Sequence, residues 1–205
     1  MSRYTWLLDP GHGGFIDGRY QTKGKQSPKL PDGRKLYEGE FNRDVVSRII
    51  ELCKTNNVKS INIVDSEQDL SLSRRVKKAN SIQKENKNCI YLSIHANGFG
   101  NGTKFNSANG VSTFYHINSK KGAKLAIKLQ DELVKSTKLK DRGAISNDKW
   151  ASFYVLRKTS MPAILSENGF MTNLKEAKLL LSSDFRDKIA LAHFETIMEF
   201  EKNGI

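Results

Sequence analysis

The run Tyr4-Thr5-Trp6-Leu7-Leu8 is a short apolar stretch closed by Asp9-Pro10, and it reads as a buried strand with a forced stop. Proline has no N–H to offer a sheet ladder, and Gly11, Gly13 and Gly14 around His12 permit a sharp turn just beyond it. Two further runs end in the same way. Ile90 to Ile94 leads into His95-Ala96-Asn97-Gly98, and Ala163-Ile164-Leu165 leads into Ser166-Glu167-Asn168-Gly169. Continuously apolar strands belong to sheets covered on both faces, which means helices above and below. In such folds the carboxyl ends of the strands are where sites are built.

The rest of the chain alternates in kind, which argues for an α/β layer architecture. After a long loop over 10–37, a helix is expected over about 41–55, with Val45, Ile49, Leu52 and Cys53 on one face. A strand at 61–64 follows, then a helix opened by Ser71 as N-cap. Strands at 90–94 and 111–115 precede a helix over about 120–136, and strands at 153–156 and 163–166 precede closing helices near 174–181 and 184–201. The expectation is a single domain over 1–205, with a twisted, mostly parallel, mixed sheet of about six strands and helices on both faces, and no separate binding domain. The 10–37 loop is too long to be a plain connection, and because it leaves from His12 and returns at an acidic segment it reads as the rim of a site.

Two histidines and a carboxylate at strand ends are the ligand types of a catalytic zinc, which takes three protein ligands and keeps one position open. The third ligand is expected from Leu36-Tyr37-Glu38-Gly39-Glu40-Phe41-Asn42, the acidic end of the loop. His116, closing a strand, and His193, inside a helix, read as structural. Cys53 and Cys89 form no C-x-x-C pair and sit in apolar surroundings, so they read as buried free thiols.

Four blocks, D-P-G-H-G-G from Asp9, a glutamate ahead of a helix, S-I-H-A-N from Ser93 and E-N-G-F-M-T-N from Glu167, stand in one order along the chain. In that order they resemble the zinc-dependent N-acetylmuramoyl-L-alanine amidases of the amidase_3 family, from Leu7 to about Asn173. The resemblance implies one Zn2+ held by His12, by Glu38 or Glu40, and by His95, with Glu167 as catalytic base. Family ligands are commonly followed four residues later by asparagine, and Asn42 favours Glu38 on that ground. The resemblance also implies cleavage of the amide joining N-acetylmuramic acid to L-alanine in peptidoglycan. Asn97 and Arg142 are its candidate substrate contacts.

The formal charge of +12 favours polyanions of any kind, among them anionic cell-wall polymers, and carries no signature of specific nucleic-acid recognition. No stretch approaches the roughly 20 apolar residues of a membrane span, and the first residues do not read as a signal peptide. A phage-type endolysin or an autolysin, made in a (host) cytoplasm and acting on the wall after release, fits these features. The competing readings are a zinc peptidase or deacetylase on another substrate, and a basic anion-binding protein without enzymatic activity.

Overall fold

The first strand, β1 (Thr5–Pro10), is buried along its whole length and divides its side chains between two cores. Trp6 and Leu8 point into one, Leu7 into the other, as the period of two along a strand requires. The computed structural model describes residues 2–146 and 153–205. After β1 come a small hairpin, β2 (Phe15–Ile16) and β3 (Arg19–Tyr20), the helix α1 (Glu38–Thr55), β4 (Ser60–Asn62) and α2 (Leu72–Asn86). The chain continues through β5 (Cys89–Asn97), β6 (Val111–Tyr115), α3 (Lys120–Thr137), β7 (Asp141–Ser146) and α4 (Tyr154–Lys158), and ends with β8 (Ala163–Phe170), α5 (Leu174–Leu180) and α6 (Ser183–Asn203).

The main sheet has the order β4-β1-β5-β8-β6-β7. Its pairs are parallel except β6 against β8, so the sheet is mixed and mostly parallel, as the alternation of elements predicts. Phe41, Val45 and Ile49 of α1, Leu125 and Leu129 of α3, and Ile189 and Ile197 of α6 fill the core on one face. Val76 and Ala79 of α2 with Val155 and Leu156 of α4 fill the other. From β1 the chain crosses to β4 through α1 and then returns past β1 to β5 through α2. The strand order therefore reverses between β1 and β5, and a crevice opens at their carboxyl ends.

Two expectations fail locally. Residues 154–158 are helical and not a strand: Val155 and Leu156 bury against α2, and an apolar run this short does not distinguish a buried strand from a buried helical turn. The sixth strand is instead β7, whose charged, glycine-containing sequence Asp141-Arg142-Gly143 hides its nature because it lies at the sheet edge. The first helix begins at Glu38, ahead of the apolar residues that announce it, with two acids in its first turn where the helix dipole favours them.

The 10–37 segment is organised. Asp17 and Gly18 both have positive φ and form the two-residue turn of the β2–β3 hairpin. Phe15, Tyr20 and Tyr37 stack with ring centroids 4.8–5.3 Å apart. Ser27 N–H donates to Leu36 O and its hydroxyl accepts from Leu36 N–H, which pins the returning arm.

Candidate active site

His12 follows β1, Glu38 opens α1, and His95 lies near the end of β5, so the β1/β5 crevice brings three donors together. One ligand atom from each lies within 4.8 Å of the others. Glu38 is 2% exposed, and its Oε1 receives His95 Nδ1 at 2.9 Å and lies 3.3 Å from His12 Nε2. The two imidazole rings stand edge to face, 5.1 Å between centroids. Burial alone would raise the Glu38 carboxyl, but hydrogen bonds and charge from His12 and His95 hold it far below the usual carboxylate range. Burial opposes protonation of His95, yet the Glu38 carboxylate outweighs it and raises that imidazole above its ordinary value.

Glu40 points elsewhere. It is exposed and shares the neighbourhood of Glu67 and Arg43, so Glu38 and not Glu40 stands in the cluster. The second oxygen of Glu38 is buried with no hydrogen-bond partner. A carboxylate oxygen left orphaned in the interior is costly unless a cation completes it. The donor set and that unpaired atom together fit a divalent metal ion.

Glu167 lies on β8 opposite His95 of β5 in the parallel register. Burial pushes its carboxyl up to about 7; His95 pulls it back, Glu38 adds to the rise and Lys25 opposes it. Its Oε2 is also buried and unpartnered. His12, Glu38, His95 and Glu167 line one cavity of about 400 Å³, whose wall includes Asn97 and whose rim includes the exposed Phe99 and Leu72. Gly24 and Lys25 of the 10–37 segment form another part of this wall. Arg142 is not in this cavity. Its guanidinium lies 5.2 Å from the centroid of the Phe170 ring, in a groove that adjoins the cavity through Asn97.

The glycines have a steric reason. A β-carbon on Gly11 would stand 2.1 Å from His95 Cε1, and one on Gly39 would stand 1.8 Å from Gly13 O. Asn42 donates to Gly11 O at 2.9 Å, and Asn168 donates to His95 O at 2.9 Å, so each asparagine fixes the backbone beside a histidine. His12 itself has φ +64°, a left-handed conformation that costs an L-residue roughly 1–2 kcal/mol. Its carbonyl receives Arg43 Nη1 at 2.8 Å and Arg75 Nη2 at 3.1 Å. Hydrogen bonds to charged donors contribute roughly 1.5–3 kcal/mol each, enough to hold that conformation.

Behind the site, Asp9 is buried against Arg75 Nη1 at 2.5 Å and accepts from Tyr91 Oη and Ser93 Oγ. In the sequence Asp9 marks only the end of a strand, and Arg43 and Arg75 look like solvated helix charges until the tertiary structure is known. Of the two remaining histidines, His116 caps a turn by accepting from Asn118 N–H, and His193 is buried on α6 against Ser166.

Residues 7–199 match the family model Amidase_3, described as N-acetylmuramoyl-L-alanine amidase. The chain is 32% identical to the N-acetylmuramoyl-L-alanine amidase LytC of Bacillus subtilis (strain 168), over 92% of this chain and 34% of that protein. It is also 32% identical to the endolysin of Bacillus phage SPP1, over 97% of this chain and 66% of the phage protein. Among solved structures, the N-acetylmuramoyl-L-alanine amidase from Clostridium difficile 630 superposes with a TM-score of 0.80 at 27% identity, covering 99% of both chains. The chain thus spans about a third of the length of LytC.

Proposed function

The chain belongs to the N-acetylmuramoyl-L-alanine amidase family, and from that premise we propose that it cleaves the amide between N-acetylmuramic acid and L-alanine in peptidoglycan, using one zinc ion held by His12, Glu38 and His95. The observation that carries this reading is the buried Glu38 carboxylate, bonded through one oxygen to both histidines and left unpartnered at the other. When bound there, zinc supplies a Lewis acid that polarises the scissile carbonyl and acidifies water.

The chain's own groups supply the proton chemistry and the positioning. Glu167, beside His95 on the neighbouring strand and lining the same cavity, takes a proton from the attacking water and returns it to the departing amine of L-alanine. A cation held by His12, Glu38 and His95 would lower the raised Glu167 carboxyl and keep it ionised, ready to accept. Burial keeps bulk water from competing for the same carboxylate. Asn97 on the cavity wall and Arg142 in the adjoining groove are proposed as contacts for the peptide and glycan flanking the bond. The open rim beside Phe99 gives a polymeric substrate room to enter.

The identity to both LytC and the SPP1 endolysin supports action on the cell wall, in autolysis or in lysis by a phage. No helix among the described residues is long and apolar enough to cross a membrane. A charge of +12 would hold the protein on anionic wall polymers, an attraction that salt weakens. Digestion of purified walls followed by mass analysis tests the reading. An amidase leaves free L-alanine amino termini on intact stem peptides. New amines inside the stems, or released acetate, would replace it with a peptidase or a deacetylase.

A further inference from the structure

We propose that Arg43 and Arg75 are positioning residues for the metal centre, their two guanidinium groups clamping the carbonyl of His12 so that its imidazole is presented for metal binding. The inference rests on the metal reading of the His12–Glu38–His95 cluster.

His12 is the ligand least supported by regular structure. It lies beyond the end of β1, has φ +64° and is followed by two glycines. What replaces a sheet ladder there is a set of side chains from elsewhere. Arg43 comes from α1 on one face of the sheet and Arg75 from α2 on the other, and they converge on the same oxygen at 2.8 and 3.1 Å. The next peptide is fixed too: Gly13 N–H donates to Thr22 Oγ1 at 2.8 Å, and Thr22 donates to Asp69.

Each arginine uses its whole fork. Arg75 sends Nε to Leu70 O, Nη1 to Asp9 and to Pro10 O, and Nη2 to His12 O. Arg43 reaches Ser66 O and Gln68 O as well as His12 O. A single carbonyl therefore ties the turn to the segment that precedes α2. Two cations meeting on one atom would repel, and the structure balances them with Asp9 and Asp69 on Arg75 and with Glu67 on Arg43. Extra positive charge beside a cation site would weaken metal binding by charge alone. The arrangement earns its place through geometry, since neither arginine touches a ligand atom. Lysine, with one point charge, cannot reproduce the fork.

The test is zinc affinity, measured by competition with a chromophoric chelator, alongside urea unfolding of the metal-free protein. Three variants are compared with wild type: Arg75→Lys, which keeps a charge beside Asp9, and Arg43→Met and Arg43→Lys, at a side chain nearer the surface. Cobalt(II) absorption of each reports the ligand geometry. Loss of groups that orient a ligand typically weakens metal binding about tenfold to a hundredfold, and that loss is expected here, with an altered cobalt spectrum and no rescue by either lysine. If folded variants bind zinc as tightly as wild type, whatever they lose in stability, the clamp is only structural and the proposal is wrong. A wild-type protein that binds no zinc would instead remove the metal reading itself.

Discussion

Gly11 lies directly against the ring of His95: a β-carbon at residue 11 would stand 2.1 Å from Cε1 and 2.4 Å from Nε2. No side chain shares that space, so Gly11→Ala must push the imidazole away from Glu38 or shift the end of β1. Overpacking of this kind costs typically 1–3 kcal/mol, which a domain of this size can survive. A displacement of about 1 Å in a catalytic group can cost about a hundredfold in rate. The expected outcome is a folded Gly11→Ala protein with reduced zinc content and at least that loss in wall digestion. Normal zinc content and normal activity would show that the close approach has no functional weight.

Glu38 and Glu40 carry the same chemistry in the same helical turn, and the structure separates them by burial. Glu38→Gln keeps the shape but removes the charge that holds two histidines, so zinc should be lost from the purified protein together with activity. Glu40→Gln relieves an acid crowded by Glu67 and should retain both within about twofold. Glu167→Gln is the third arm. It should keep zinc and lose about a hundredfold to ten-thousandfold in turnover, the usual contribution of a positioned general base. Zinc analysis and digestion on the three proteins assign the roles, and an active Glu167→Gln would eliminate the proton-transfer step.

Much of this was legible in the residues because burial on both faces of a sheet writes itself as apolar runs. β1, β5 and β8 are such runs, and the histidines and glutamate at their ends follow from the places where the runs stop. The edge strand β7 obeys no such rule, and the turn at Val155-Leu156 imitates it, so the apolar pattern points to a sixth strand at 153–156 where the sheet has β7. The β2–β3 hairpin was readable in principle, since Asp17-Gly18 is a strong turn signal. Arg43 and Arg75 were not. An arginine on a helix face is solvated in most proteins, and only the return of α2 past β1 buries Arg75 against Asp9. The choice between Glu38 and Glu40 also depends on which face of the first helical turn meets His95, a tertiary fact.

Metal uptake should release protons in a pH-dependent way. In the metal-free protein His95 is raised above its ordinary value, and Glu167 is pushed up to about 7. At about pH 6 both carry protons that a bound cation must expel, one from the ligand and one from the neighbouring base. At about pH 8.5 Glu167 has already lost its proton. Calorimetric zinc titrations in buffers of different ionisation enthalpy should therefore find more protons released at the lower pH, and weaker zinc binding there. Glu167→Gln should reduce the number released near pH 6. Equal release at the two pH values would contradict the protonation states drawn from the geometry.

His193 should make stability depend on acid through a buried hydrogen bond to Ser166, the neighbour of Glu167 on β8. It is fully buried on α6, donates Nδ1–H to Ile189 O at 2.7 Å and accepts from Ser166 Oγ at Nε2. Burial pushes its imidazole down from 6.5 to about 4, against the small opposing effect of the bond to Ile189. As pH falls below about 6.5 the unfolded chain takes up this proton while the folded chain refuses it until about 4. The stabilisation is therefore complete above 6.5 and is lost across that window as pH falls. At about 1.4 kcal/mol per pH unit the loss reaches roughly 3 kcal/mol for a fully buried group. Other groups titrate in the same range, so the quantity to measure is the difference between wild type and His193→Gln, whose amide can keep both hydrogen bonds without titrating. Urea unfolding of the metal-free proteins between pH 7 and pH 4 should give the variant a flatter profile by about that amount. Parallel profiles would mean that His193 accepts its proton in the folded core, and that the buried hydrogen bonds to Ser166 and Ile189 tolerate an imidazolium.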